Sequence, residues 1–339
     1  MSDRNEFQYK VVLIDYSPEL FFPMGFEAEM LAEIGASWEV HRCTTGEQVV
    51  AVAKDADVVA VQSVRPLLTR EVLARLDRCR CTIRAGAGYD SIDYKAATEM
   101  GIMVCNAPTY CTDDVADHAI GLLLAAVRNI PRLDAAVRQG SYARQLARPS
   151  RRLAGTTLGI IGLGRIGSTT ARRVRGWDMT VLAYDPYVSQ ERADEVGAQM
   201  VPLDELLARS EFISIHCLLN DETYHMLSWD EFAAMKEGVI LVNTARGPIV
   251  DEEAMVAALR EGRLWAAGLD VTEQEPLPPD SPLLTMDNVL LTPHISANTP
   301  ESQRDLYRLI CEISADVVQG RIPEWLVNPE ALDHLKPAP

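Results

Sequence analysis

The chain is short of positive charge. Its 32 Lys and Arg stand against 49 Asp and Glu, a formal net charge of −17. That balance argues against nucleic acid or an anionic membrane as the main partner, because both need a basic surface. An anionic small molecule stays open, since a few buried arginines can dominate one cleft. Long apolar runs are also missing. The longest, Ala119–Val127, is bounded by His118 and Arg128 and is far too short to span a bilayer. Met1–Lys10 is polar and mixed in charge, so no secretory signal is expected. The seven cysteines form no CxxC pair and no metal-ligand spacing. Cys79 and Cys81 lie two apart, and strand alternation points them to opposite faces. An odd count of scattered thiols fits a reduced, cytoplasmic protein. No low-complexity segment and no short repeat is present.

What remains is an ordinary globular mixture, 47 % hydrophobic and 24 % charged over 339 residues, which sets two domains as the prior. Val11–Ile14, Val58–Val61, Thr82–Arg84 and Met103–Cys105 read as short strands. Phe26–Ile34, Glu47–Ala53, Arg70–Leu76 and Asp93–Met100 read as the helices between them. This alternation predicts a parallel sheet covered on both faces. Asn106-Ala107-Pro108 breaks the pattern like a hinge. Thr112 then suits an N-cap, Asp113 and Asp114 suit a first turn, and Val115–Val127 is apolar on most sides. Such a helix is expected to be buried, between domains or at a subunit contact. A second alternating unit follows, with strands near Thr180–Tyr184, Phe212–His216, Val239–Asn243, Ala266–Leu269 and Val289–Leu291. A last helix opens with Thr299 as N-cap and Pro300 at its first position. Its stripe of Leu306, Leu309, Ile310, Ile313 and Val317 allows it to return to the first unit.

The most informative stretch is Gly162-Leu163-Gly164-Arg165-Ile166-Gly167. It follows the apolar run Thr157–Ile161 and precedes a helix-compatible segment, and a second apolar run, Val181–Tyr184, ends in Asp185. Strand, glycine turn, helix, strand and acid together form the dinucleotide-binding signature. The first glycine allows the tight turn, the second admits the pyrophosphate, and the third permits close helix–strand packing at a helix N-terminus that favours negative charge. A carboxylate at Asp185 accepts from ribose hydroxyls and repels a 2′-phosphate. Pro186 rather than Arg follows it, so NAD is expected over NADP.

Three later residues carry reaction chemistry. Arg246 ends Leu241-Val242-Asn243-Thr244-Ala245-Arg246, Glu275 precedes Pro276 in a proline-stiffened loop, and His294 follows Val289–Pro293. Ends of strands are where open α/β sheets place ligands. Arg grips a carboxylate and polarises a carbonyl. His moves a proton, and a Glu at its other nitrogen orients the ring. Taken singly, each also has a plain structural use as ion pair, loop carboxylate or core histidine.

Taken together, several stretches resemble the D-isomer-specific 2-hydroxyacid dehydrogenases. They are Leu241–Gly247, Gly268-Leu269-Asp270-Val271 with Glu275-Pro276, and Thr292-Pro293-His294-Ile295. Arg84-Ala85-Gly86-Ala87-Gly88-Tyr89-Asp90 is similar to the family's substrate-domain loop, and Met103–Pro108 to its interdomain crossing. The branches of C-terminal-binding protein and phosphoglycerate dehydrogenase are the most similar. The resemblance implies an α/β architecture of two Rossmann-like, doubly wound parallel-sheet domains with the active site in the cleft between them. Residues 1–107 with 301–339 would be a discontinuous, flavodoxin-like substrate domain, and 108–300 the NAD-binding Rossmann domain.

The same resemblance implies residue roles. Arg246, Glu275 and His294 would be the catalytic set, and Arg84 with the amides of Gly86, Ala87 and Gly88 would hold the substrate's acid group. Gly162, Gly164, Arg165, Ile166, Gly167 and Asp185 would bind NAD. Asp270 would take the nicotinamide carboxamide, with Thr244 and Ala245 nearby, while His216 and Cys217 would lie along the cofactor. No metal is expected. The implied function is reversible hydride transfer between NAD(H) and a small 2-oxo or 2-hydroxy acid by a homodimer. Two alternatives stay open: the same machinery acting on a phosphonate or phosphite, and an NAD(H)-sensing corepressor-like scaffold. Leu218 replaces a frequent family Pro. Ala297 stands where C-terminal-binding protein has Trp, which implies a roomier pocket or one made more polar by Ser296 and Asn298. A chain of this length is not expected to carry a serine-regulated module.

Overall fold

The computed structural model describes residues 7–15, 24–142, 144 and 150–335. The chain divides into two compact units, Met1–Cys111 with Asn298–Pro339, and Thr112–Ala297. The crossings fall at Cys111 and Ala297 rather than at the expected 107 and 300, because α5 (Thr112–Val127) is an integral part of the second unit.

Unit 1 alternates β1 (Tyr9–Ile14), α1 (Phe26–Ala32), β2 (Ala36–His41), α2 (Gly46–Ala53), β3 (Val58–Val61), α3 (Arg70–Leu73), β4 (Cys81–Arg84), α4 (Tyr94–Glu99) and β5 (Met103–Asn106). All strand pairs are parallel, in the order β2-β1-β3-β4-β5. Val58–Val61 is buried throughout, which is why it reads as an uninterrupted apolar run. Alternation divides β1 and β3 between two cores: Val12, Ile14, Val59 and Val61 on one face, Val11, Leu13, Val58 and Ala60 on the other. Cys79 and Cys81 fall in different cores, and all seven cysteines are free thiols. The β2 strand departs from expectation. Ala36-Ser37-Trp38-Glu39-Val40-His41 mixes polar with apolar because it is an edge strand, paired among the described residues on β1 alone.

Unit 2 opens with α5 and α6 (Ile130–Arg138). It continues with β6 (Thr157–Ile161), α7 (Arg165–Val174), β7 (Thr180–Tyr184), α8 (Gln190–Asp194), β8 (Gln199–Met200), α9 (Leu203–Arg209) and β9 (Phe212–Ile215). The remainder is α10 (Trp229–Ala234), β10 (Val239–Asn243), α11 (Glu252–Glu261), β11 (Leu264–Leu269) and β12 (Val289–Leu291). Its parallel sheet runs β12-β11-β10-β9-β6-β7-β8. Chain order reverses between β6 and β9, so the glycine turn after β6 opens at the switch point, where doubly wound sheets bind ligands.

The burial of α5 has a different cause from the one expected. Ala119, Leu122, Leu123, Ala126 and Val127 pack with Leu158, Ile160, Ala171, Val174 and Val242 of the same unit. The missing side chain of Gly268 makes room: a Cβ there would sit 2.9 Å from Leu122 Cβ. The apolar stripe is spent on its own sheet, and it gives no ground for a subunit contact.

The last helix, α12 (Pro300–Val318), belongs to unit 1. Thr299 accepts from the Ser302 amide at 3.1 Å and Pro300 takes the first helical position. Leu306, Tyr307, Ile310, Ile313 and Val317 join the core built on Val11, Leu13, Val58 and Ala60.

Candidate active site

The glycine turn is built by close approach. Gly162 has φ +90°, and a Cβ on it would lie 2.5 Å from the Cys217 amide nitrogen. A Cβ on Gly167 would lie 2.1 Å from the Gly162 carbonyl oxygen, whereas Gly164 has open space around it. The first and third glycines therefore close the strand–helix junction, and the second leaves the α7 N-terminus uncovered. Arg165 and Ile166 are the first residues of that helix, and Arg165 is exposed. Asp185 follows β7, and its carboxylate accepts from Leu163 N and Tyr187 N, both at 2.9 Å. It thereby holds the turn itself.

The ends of β9 and β10 hold buried polar atoms with no partner among the described residues. At the end of β9, His216 Nε2 lies 2.8 Å from Ser214 Oγ, while its buried Nδ1 has no partner among the described residues. At the end of β10, Thr244 Oγ1 is buried and has no partner among the described residues. Buried polar atoms are rarely left so, which makes these two candidates for contact with a ligand. Burial pushes the His216 imidazole down to about 4 and the Cys217 thiol up to about 12, so both are neutral at physiological pH. An uncovered helix N-terminus, a glycine cradle and unpartnered polar atoms at the switch point together fit a dinucleotide.

Arg246 stands just past β10. Asn243, unremarked in the sequence, fixes that bend: its Nδ2 donates to Arg246 O at 2.9 Å and its Oδ1 accepts from Ala245 N at 3.0 Å. A Cβ on Gly247 would overlap the Thr272 carbonyl at 1.9 Å, so the Arg246 turn lies directly on the segment leading to Glu275. Thr272 N donates to Glu275 Oε1 at 3.3 Å. Glu275 Oε2 meets His294 Nδ1 at 2.8 Å, with the two side chains 26 % and 29 % exposed. The Glu275–Pro276 bond is cis. His294 Nε2 has no partner among the described residues and remains open to a ligand.

The Asp270 side chain is fully buried and engaged within unit 2. Oδ1 accepts from the Thr292 hydroxyl at 2.6 Å and from Ile295 N at 2.9 Å, and Oδ2 accepts from Ser296 N at 2.9 Å. Burial alone raises its proton affinity, but hydrogen bonds from Thr292 and Ser296 outweigh that and hold the carboxyl below its ordinary range. Ser296, expected to make the pocket polar, is spent on Asp270. Asn298 belongs to unit 1, where its Oδ1 accepts from Gln303 Nε2.

In unit 1, Arg84 ends β4 almost fully buried, its guanidinium folded over Gly86 and donating to the Ala85 carbonyl. Of the three loop amides, that of Gly86 already donates to Arg84 O at 2.8 Å. The Ala87 and Gly88 amides have no protein acceptor among the described residues, so only these two are left for an anion. Asn106 Nδ2 anchors the loop through Ala87 O at 2.6 Å.

Among the described residues, no group of His, Cys, Asp and Glu is placed to hold a metal ion, and no helix is long and apolar enough to cross a membrane.

A Rossmann unit with an Arg, a Glu and a His on loops beyond its strands defines an NAD-binding dehydrogenase architecture. Residues 120–296 match the family described as "D-isomer specific 2-hydroxyacid dehydrogenase, NAD binding domain". The chain is 41 % identical over 315 residues to D-3-phosphoglycerate dehydrogenase of Methanocaldococcus jannaschii, covering 91 % of this chain and 59 % of that protein. It is 39 % identical over 299 residues to glyoxylate reductase of Korarchaeum cryptofilum, covering 87 % of this chain and 90 % of that one. Among solved structures, D-lactate dehydrogenase of Aquifex aeolicus, complexed with NAD and lactic acid, superposes with a TM-score of 0.84. That pair is 30 % identical and covers 94 % and 99 % of the two chains. The chain belongs to the D-isomer specific 2-hydroxyacid dehydrogenase family, and its second unit is the family's NAD-binding domain. It spans less than two thirds of the length of the phosphoglycerate dehydrogenases that it matches.

Proposed function

We propose that the chain is an NAD-dependent D-2-hydroxyacid dehydrogenase acting on a small 2-oxo or 2-hydroxy acid. The observation that carries this reading is the His294–Glu275 contact at 2.8 Å, with Nε2 left open. When bound, NAD(H) supplies or accepts the hydride at C2. In the reducing direction His294 gives a proton from Nε2 to the substrate oxygen as hydride arrives, and in the oxidising direction the same nitrogen takes it back. Glu275 holds Nδ1, fixes the ring orientation and offsets the charge that the ring carries. Arg246, braced by Asn243 and the Thr272 segment, polarises the carbonyl and binds the carboxylate. Arg84 and the amides of Ala87 and Gly88 are a separate set of donors in unit 1 suited to an anion. Asp185 accepts ribose hydroxyls and selects NAD over NADP. The relatives named phosphoglycerate dehydrogenase and glyoxylate reductase support an acid of two or three carbons.

The test is NADH oxidation against a panel of 2-oxo acids that includes glyoxylate, hydroxypyruvate and branched oxo acids. NAD-linked oxidation of phosphite is run beside it. One acid with a high kcat/KM supports the reading. Feeble rates on every acid, with tight NADH binding, contradict it and favour a sensor. We also read the chain as a homodimer. The half-exposed apolar side chains Ile130 and Val137 of α6 support that assembly, and sedimentation at micromolar concentration tests it.

A further inference from the structure

His118 is one of four histidines in unit 2, and the proton transfer assigned to His294 gives it no task. It projects from α5, whose other polar side chains include Asp113 and Asp117, both paired with Arg173. Its Nε2 lies 3.0 Å from Thr292 Oγ1 and 3.6 Å from Asp270 Oδ1. The direction of these bonds follows from the donor inventory. An ionised carboxylate only accepts, so the one hydroxyl proton of Thr292 is committed to Asp270 at 2.6 Å. Thr292 Oγ1 is then an acceptor towards His118, and the hydrogen sits on His118 Nε2.

Asp270 passes this anchorage to the backbone around His294. Its carbonyl oxygen accepts from His294 N at 2.8 Å, its Oδ1 from Ile295 N at 2.9 Å and its Oδ2 from Ser296 N at 2.9 Å. Three successive amides are held by one residue, and the middle of the segment is bent: His294 has φ +54°, in the left-handed region that residues with a side chain seldom adopt. A conformation of that kind persists only where its surroundings impose it. The path from α5 through Thr292 and Asp270 to the 294–296 amides is such an imposition.

We propose that His118 is a positioning residue for His294. It docks the Thr292–Ser296 turn onto α5 through Thr292 and Asp270, and so sets the imidazole where Glu275 meets one nitrogen and the substrate oxygen meets the other. The proposal rests on the assignment of His294 as proton donor and acceptor.

The experiment uses the full chain with four single substitutions: His118→Leu, His118→Gln, Thr292→Val and Thr292→Ser. Gln and Ser keep a donor or hydroxyl at the same place, whereas Leu and Val do not. Amide hydrogen exchange without cofactor reads the docking. Steady-state reduction of glyoxylate by NADH, with kcat and KM separated, reads its consequence. For His118→Leu and Thr292→Val we expect exchange at His294, Ile295 and Ser296 to be about tenfold faster, with the rest of unit 2 unchanged. Their kcat is expected to fall by about tenfold, because misplacement by a fraction of an ångström slows proton transfer, while KM stays nearly constant. The double variant should lose no more than either single one, since both cut the same chain. His118→Gln and Thr292→Ser should restore both readouts. Unchanged protection in His118→Leu overturns the proposal whatever the substrate, and so does a Gln variant as impaired as Leu. An unaltered kcat in His294→Ala instead removes the function on which the proposal rests, and exchange then decides the docking alone.

Discussion

Glu275 Oε2 lies 2.8 Å from His294 Nδ1, and the Arg246-Gly247 turn packs on Thr272 of the segment that carries Glu275. The acid partner of the histidine is thus placed by the same contact that seats the arginine. Glu275→Gln keeps a hydrogen-bonding group but loses the charge that offsets a protonated ring. Its kcat is expected to fall on the order of 10²-fold, with NADH affinity little changed. Steady-state kinetics with the best 2-oxo acid checks this. An unchanged kcat reduces Glu275 to a loop carboxylate.

Asp185 has two duties, and its replacement should show both. Asp185→Ala removes the acceptor of the Leu163 amide and the charge that repels a 2′-phosphate. Preference for NAD over NADP should drop by about tenfold or more. Competing titrations of NADH and NADPH read the ratio. If discrimination is unaltered, cofactor choice lies elsewhere.

Gly162 admits no side chain. With φ +90° and the Cys217 amide 2.5 Å from where a Cβ would stand, Gly162→Ala must open the turn away from β9. The expected cost is about 1–3 kcal/mol of stability, with NADH binding weakened by about tenfold or more. Thermal unfolding and fluorescence titration measure the two effects. Wild-type NADH affinity in this variant speaks against a cofactor at the glycine turn.

Burial depresses His216 to about 4 from an ordinary value of 6.5. The unfolded chain therefore takes up the proton first as pH falls. Stability is fully present above about pH 6.5, declines below it, and stops declining on this account near pH 4. The whole gap corresponds to on the order of 3 kcal/mol at most, because the residue keeps partial exposure. Urea midpoints of the cofactor-free protein at pH 7 and pH 5 should differ, and His216→Asn should shrink the difference. An equal difference in the variant assigns the pH dependence to other groups.

The sequence shows most plainly what is local. Val58–Val61 and Val239–Val242 are apolar because both faces of their strands are covered, and the glycine fingerprint is a contiguous turn. The edge strand β2 is less visible because one flank meets no strand among the described residues, so its residues need not be uniformly apolar. The task of Asp270 is hidden for another reason. Its partners Thr292, Ile295 and Ser296 lie more than twenty residues on, and a carboxylate at a strand end looks the same whether it faces a ligand or a neighbouring loop. His118 lies 174 residues from Thr292, so only the folded sheet brings them together. The sole signal in the chain was a histidine at the rim of an apolar helix.

The central claim is that His294 moves the proton. Its direct test is His294→Ala, assayed by NADH-dependent reduction of the preferred 2-oxo acid beside fluorescence titration of NADH. The account predicts a loss on the order of 10²–10⁴ in kcat with NADH binding little changed. A kcat equal to that of the unaltered chain contradicts it.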